Sequence, residues 1–191
     1  MKTGSAPDPD EINNETLAIF GVTIAESLAE LFNAILSSGL PPEQWFHSQI
    51  ILIHKKGSFM DINNYRPISL SSCILKIFMA ILKEKCYKQL DSHQKAEQAG
   101  FRKGYSTIDH IHAINQLIER SNESNLNLAL MFIDYNKAFD SLFHDKIWES
   151  LANQNIPVNV IQSLSTIYQN STASVRLDRM GQKFKIERGV R

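Results

Sequence analysis

Hydrophobic positions along the chain recur at both helical and strand spacing. Apolar side chains after Thr23 repeat every three to four residues, and Ser37-Ser38-Gly39 with two prolines closes that helix. A longer amphipathic pattern in the middle of the chain carries lysines on its polar side. The predicted helices cover about 24–36, 72–90, 107–121, 143–153 and 157–170.

Strand-length runs lie between these helices. The β-branched run 48–54 ends in a Lys55-Lys56-Gly57 turn, and 65–70 is extended with Pro67 removing one backbone donor, which favours a sheet edge. The apolar run 126–133 predicts a strand that ends at Asp134, after which Asn136 begins a helical turn. Runs around 173–177 and 184–186 predict a hairpin. Helices and strands that do not alternate regularly indicate an α+β fold.

Charge is distributed unevenly although the 191-residue chain has a formal net charge of zero. Residues 1–45 hold one lysine against seven acids, whereas 46–105 hold ten Lys and Arg against four acids. A concentrated basic segment suits phosphate backbones, and a solvated helix face explains it equally well. Two cysteines without metal-ligand spacing support neither a disulfide framework nor a zinc site, so we expect a reducing compartment. No stretch of about 18 apolar residues is recognised, so no membrane partner is expected.

Asp134 and Asp140 are the candidate carboxylates for chemistry. Hard cations such as Mg²⁺ prefer carboxylate oxygens held on a stiff support. An aspartate after an apolar run is, on physical grounds alone, more often a helix cap, so the spacing leaves both alternatives open.

The ten residues Phe132-Ile-Asp-Tyr-Asn-Lys-Ala-Phe-Asp-Ser141 change that balance. They resemble motif A of the reverse transcriptases of non-LTR (LINE-type) retrotransposons. The resemblance implies that Asp134 is the catalytic aspartate and binds Mg²⁺, or Mn²⁺, with the main-chain carbonyl of Tyr135. It also implies that Phe139 is the steric gate, which occupies the space of a ribose 2′-OH, and that Asp140 is structural. An ordinary buried ring is the alternative for Phe139.

Lys55-Lys56-Gly57 and Asn63-Asn64-Tyr65-Arg66-Pro67 resemble the fingers motifs of the same family, in the same order. The implied role of Arg66 is to grip the triphosphate of the incoming nucleotide, since a guanidinium binds phosphate oxygens bidentately. Lys55 or Lys56 would add a point charge. A surface salt bridge is the alternative role for Arg66.

The segment Glu97-Gln-Ala-Gly-Phe-Arg-Lys-Gly-Tyr-Ser-Thr107 resembles the family's next block, which lies along the template side. Arg102 and Lys103 are therefore expected to contact the template backbone. Phe101 is either a base-stacking ring or a packed one.

Both ends of the chain resemble further blocks of the family. Near the N-terminus, residues 6–12 resemble the family's Ala-Pro-Gly-x-Asp-Gly-Ile block, except that Asp8 and Glu11 replace its two glycines. Residues 188–191 resemble the start of motif B. The chain contains no Asp-Asp pair. We therefore expect an N-terminal portion of a reverse transcriptase domain, divided into an extended arm (1–15), fingers (16–125) and a partial palm (126–191).

The fold implied by the resemblance is a partial right-hand polymerase, with helical fingers that include a short hairpin part and an incomplete antiparallel palm sheet. The implied activity is RNA-directed DNA polymerisation by two-metal nucleotidyl transfer. Its partners would be an RNA template, a DNA primer and deoxynucleoside triphosphates, inside the cell in cytoplasm and nucleus. We expect the chain alone to be inactive. The alternatives are a non-catalytic RNA-binding remnant and, less favoured by the motif order, a helical interaction protein.

Overall fold

A computed structural model of the chain describes Ile12 and residues 14–190. This described part forms five α-helices and four β-strands, so the α+β class is confirmed. The helices are α1 (Asn14–Ser38), α2 (Cys73–Ser92), α3 (Thr107–Glu123), α4 (His144–Asn153) and α5 (Val158–Gln169). The strands are β1 (His47–His54), β2 (Tyr65–Leu70), β3 (Thr172–Val175) and β4 (Phe184–Lys185).

Side-chain caps explain where two of the predicted helices begin. The Ser72 hydroxyl accepts the backbone N–H of Ile74 at 3.2 Å and so starts α2. Ser106 and Asp109 form a reciprocal capping box at the start of α3. Because each cap satisfies orphan N–H groups of the first turn, these two boundaries were readable from sequence.

The four strands form one mixed sheet in the order β2-β1-β3-β4. β1 pairs antiparallel with β2, Leu52 lying opposite Pro67, and it pairs parallel with β3. The expected incomplete antiparallel sheet is thus wrong in part, because β3 returns beside β1 after the crossover through the helices. The predicted hairpin of β3 and β4 is confirmed, and Pro67 lies on an edge strand as expected.

The hydrophobic core lies among helices α1, α2 and α5 and the segment that leads into β1. At its centre the rings of Phe32, Trp45 and Phe78 pack at centroid distances between 5.3 and 6.4 Å. Phe78 is fully buried, and Ile35 and Ile167 are nearly so. Trp45 lies two residues before β1, so the core reaches the start of that strand.

The predicted strand 126–133 is not formed. Residues 126–135 have no regular secondary structure, and their large apolar side chains are exposed, Met131 by 84%. A strand needs a neighbour to bind its N–H and C=O groups, and none of the four strands pairs with this segment. Apolar content and β-propensity were therefore insufficient to make residues 126–133 a strand.

The N-terminal arm predicted for 1–15 lies mostly outside the described residues, as does the block at residues 6–12 apart from Ile12. Where it is described, the prediction needs correction, because α1 already begins at Asn14 and Thr23 is inside it. The segment Glu15–Ser38 is also long and apolar enough to cross a membrane by length and composition, which sequence inspection overlooked. Its second half nonetheless contributes Phe32 and Ile35 to the core.

Candidate active site

A cleft of about 840 Å³ lies between the β1–β2 loop and the turn that follows residue 135. It brings two separately predicted motifs together, since Lys55 and Arg66 line one side and Phe139 and Asp140 the other. About seventy residues of sequence, which include α2 and α3, lie between Arg66 and Phe139. The remaining lining residues are Leu52, Ile62, Asn63, Tyr65, Pro67, Asn136, Lys137 and Ala138.

The loop from Lys55 to Asn64 is held by its own side chains. The Asn64 amide donates to the Ser58 carbonyl at 2.9 Å, and the Tyr65 hydroxyl donates to the Phe59 carbonyl at 3.0 Å. Gly57 has φ +88, and a Cβ there would lie 2.7 Å from the Asn64 side chain. The asparagine and tyrosine of the Asn-Tyr-Arg-Pro motif therefore shape the loop and leave the arginine beside the cleft.

Arg66 is exposed at the rim of this cleft. Within the described part of the chain its guanidinium takes no part in an ion pair, so the alternative of a surface salt bridge is not observed there. Lys55 lines the same cleft, and its backbone N–H donates to the Asn64 carbonyl at 2.8 Å. Lys56 is exposed and does not belong to the lining. Arg66 and Lys55 thus make one wall of the cleft positively charged.

Phe139 forms the opposite wall. It lies in a turn (residues 136–141) in which the Ser141 N–H donates to the Lys137 carbonyl at 3.1 Å, as expected for the helical turn after Asp134. Its ring is 52% exposed, so it is not the ordinary buried ring considered as an alternative. The ring of Phe101 meets it edge to face, with centroids 5.4 Å apart.

Two residues around this wall have an uncommon backbone. Lys137 and Phe101 have φ of +50 and +60, a region that residues with a Cβ seldom adopt. Such conformations cost free energy and tend to persist where the surroundings impose them. The aromatic contact of Phe101 and Phe139 is thus built on two left-handed residues, and sequence gave no signal for either.

Asp134 and Tyr135 are exposed and directly precede the turn that lines the cleft. The resemblance stated above implies a divalent metal ion at Asp134. Among residues 14–190, however, no group of three or more His, Cys, Asp and Glu side chains could hold a metal ion. The described residues therefore do not by themselves fit the metal site predicted at Asp134 and Tyr135.

Arg102 is engaged within the chain. Its Nε donates to the Asp91 carboxylate at 2.8 Å, a second guanidinium nitrogen donates to the Lys95 carbonyl at 2.9 Å, and the group lies 4.1 Å from the Tyr105 ring centroid. The hydrogen bond to Asp91 raises the pKa of Arg102 above its ordinary value. Arg102 thus joins the loop before α3 to the end of α2. Lys103 beside it is exposed, and a template contact stays a prediction for both.

Sequence inspection assigned no role to His144, which the structure places beside this site. Its ring Nε2 lies 2.9 Å from the Gly189 carbonyl, across forty-five positions of sequence. No ligand spacing marks this histidine, and only the fold brings its partner near.

Most of the chain, including the segments that form the cleft, matches a known protein family. Residues 53–191 match the family described as reverse transcriptase (RNA-dependent DNA polymerase), so the match includes both walls of the cleft. The chain belongs to the reverse transcriptase family.

The relatives that it resembles are proteins of non-LTR retrotransposons. It is 32% identical over 143 residues to the probable RNA-directed DNA polymerase from transposon BS of Drosophila melanogaster, covering 73% of this chain and 16% of that protein. It is 27% identical over 172 residues to the Pol polyprotein from the type-1 retrotransposable element R2 of Nasonia vitripennis, covering 88% and 16%. It is 29% identical over 142 residues to the RNA-directed DNA polymerase from mobile element jockey of Drosophila melanogaster, covering 73% and 16%. The chain spans about a sixth of these relatives' length.

Proposed function

We propose that the cleft binds the incoming deoxynucleoside triphosphate of an RNA-directed DNA polymerase, and that this chain carries that part of the enzyme. The observation that supports this most is the meeting of Arg66 and Phe139 across one cleft. A guanidinium grips phosphate oxygens bidentately, and an aromatic ring opposite it limits the space available to the sugar. RNA template and DNA primer would then be the partners of the longer protein.

Arg66 is assigned to the triphosphate, with Lys55 as an additional point charge and Lys56 further out. The main-chain position of Tyr135 and the ring of Phe139 would face the sugar. Because Arg66 and Lys55 are exposed and line a charged wall, a triphosphate can reach both without rearrangement of the core. Lys103 is the basic side chain left for the template strand in this block.

Arg66→Ala tests the assignment most directly. Charged hydrogen bonds are worth about 1.5–3 kcal/mol, so we expect affinity for dATP to fall about 10- to 100-fold. Arg66→Lys keeps the positive charge but loses the bidentate guanidinium, so its affinity for dATP should lie between those of the wild type and Arg66→Ala. Amide NMR titration of the purified chain with dATP in EDTA buffer measures this without a metal ion.

The matched control for that titration is Arg179→Ala, which removes an exposed arginine in the β3–β4 connection, outside the cleft. Its affinity for dATP should equal that of the wild type. Equal loss in both variants would mean that nucleotide binds by net charge alone, and the assignment of Arg66 would be abandoned.

Asp134 is proposed to supply one carboxylate for Mg²⁺ or Mn²⁺, with the other ligands coming from outside the described residues. In the longer protein the two-metal form of nucleotidyl transfer would follow. For this chain alone we expect no polymerisation, since the described residues hold no metal cluster. Primer extension with the purified chain, RNA template, DNA primer and Mg²⁺ checks this, and any extended product contradicts it.

A second candidate function, RNA binding without catalysis, is favoured by the exposed lysines of α2. Lys83, Lys85 and Lys88 all lie exposed along the second half of this helix. Each phosphate that they neutralise would release counterions, so log affinity for single-stranded RNA should fall with log salt by about 0.7 per contact. Fluorescence anisotropy over a salt series measures the slope, and absence of binding at low salt would exclude this function.

A further inference from the structure

The turn that carries Phe139 is held by a second segment of the chain, residues 188–190. The Gly189 N–H donates to the Leu142 carbonyl at 2.8 Å, and the Val190 N–H donates to the Phe139 carbonyl at 3.0 Å. Phe143 and Arg188 form an isolated antiparallel bridge beside them. The position of Phe139 in the cleft therefore depends on where residues 188–190 lie.

His144 fixes that segment from the other side. Its Nε2 lies 2.9 Å from the Gly189 carbonyl oxygen, and because a carbonyl can only accept, Nε2 must carry the hydrogen. The imidazole packs edge to face against Tyr168, with centroids 5.0 Å apart and planes at 74°. Tyr168 belongs to the core, so the direction of the His144 N–H is set by the packed part of the molecule.

Gly189 lets the two backbones approach closely. It is buried with φ +87, and a Cβ there would lie 2.9 Å from the Asp140 carbonyl oxygen and 3.0 Å from its Cα. No side chain fits this space without moving the turn. The hydrogen bonds between 188–190 and the turn are therefore made by backbone groups. Two side-chain contacts hold the segment from the other side, namely the hydrogen bond from His144 and the packing of Val190 against the core.

We propose that His144 is a positioning residue for the cleft: its Nε2–H holds Gly189, and through Gly189 and Val190 it fixes the wall that Phe139 forms. The chain of contacts runs from Tyr168 in the core through His144 and Gly189 to the turn. The proposed function is needed only for the consequence, which is that His144 sharpens the choice between deoxy- and ribonucleotides.

Amide hydrogen exchange of the purified chain tests the positioning directly. His144→Phe keeps a ring against Tyr168 but removes the donor, and we expect the Gly189 and Val190 amides to exchange about three- to tenfold faster. His144→Gln restores an N–H donor and should recover most of the protection. Amides of β1 and β2 report global stability and should be unchanged.

The control is His93→Phe, which removes another histidine contact to a carbonyl, that of Nδ1 with Gln89 at 2.7 Å on the exposed end of α2. It should leave residues 188–190 unaffected. If His144→Phe leaves the exchange of Gly189 and Val190 unchanged, or if it accelerates all amides equally, the positioning role is wrong.

Parallel titrations with dATP and ATP test the consequence. The preference of the wild type for dATP should shrink towards unity in His144→Phe and return in His144→Gln. An unchanged preference despite faster exchange would overturn the role in nucleotide choice. A wild type that binds neither nucleotide would refute the proposed function, and the exchange experiment would still decide the positioning role.

Discussion

Two regions of this chain differ in whether their apolar side chains are buried. In the first region (α1, α2, α5 and the sheet), side chains of the three helices and of Trp45, just before β1, meet in one core around Phe78. In the second region (α3 and residues 124–143), no side chain is buried, and Phe132 and Ile133 are more than 70% exposed. Both regions contain motifs of the family. The cleft lies where the two regions meet. The wall with Lys55 and Arg66 belongs to the region that has a core, and the wall with Phe139 belongs to the region that has none.

The difference shows that sequence likeness and burial need not coincide. The segment that resembles motif A, residues 132–141, lies in the exposed region, and none of its side chains is buried within the described chain. Exposed apolar groups of this extent are typical of surfaces that contact something else. Phe139 keeps its place here through Phe101 and residues 188–190, and hardly through packing of its own segment.

The largest expected effect is on the free energy of unfolding when a phenylalanine is replaced by alanine in each region. Phe78→Ala removes a fully buried ring and should lower the free energy of unfolding by about 3–5 kcal/mol. Phe132→Ala removes a ring that is 79% exposed, and a change of about 0.5 kcal/mol or less is expected. Urea unfolding followed by circular dichroism measures both. Comparable losses would show that the second region is packed in solution.

Two glycine-to-alanine substitutions should change the free energy of unfolding in opposite directions. Gly189→Ala places a Cβ against the Asp140 backbone at φ +87 and should destabilise the chain by about 1–3 kcal/mol. Gly21→Ala, in α1, has no atom within 4 Å of its new Cβ, and helix propensity predicts a gain of about 0.5–1 kcal/mol. Thermal unfolding of both variants gives the two signs. A neutral Gly189→Ala would mean that the contact between the turn and residues 188–190 is loose.

The smallest expected difference between the two regions is in the rate at which a thiol is alkylated. Burial raises the pKa of the Cys86 thiol above its ordinary value of 9.0, although Lys85 opposes the shift. The protonated thiol therefore contributes stability that is complete below about pH 9 and is lost as pH rises through the raised pKa. Iodoacetamide should alkylate Cys86 slowly at pH 8 and a Met131→Cys thiol, in the exposed region, rapidly. Mass spectrometry over time resolves the two sites, and equal rates would argue against the burial of Cys86.

Much of the local structure followed from the sequence. The sequence predicted where α2 and α3 begin, the β-branched run that became β1, and the edge position of Pro67. Each is decided by interactions among near neighbours, such as the caps at Ser72 and Ser106. The order of motifs likewise predicted the family that the comparison shows. These features need no knowledge of what lies across the molecule.

The tertiary structure alone decided which segments found partners. Residues 126–133 have the composition of a strand, but none of the four strands lies beside them. Their backbone N–H and C=O groups therefore have no strand to bind, and no strand forms. The parallel pairing of β1 with β3 made the sheet mixed, and the hydrogen bond from His144 to Gly189 tied the turn to the core. Each joins residues far apart in sequence, because pairing and packing depend on distances that local pattern does not encode.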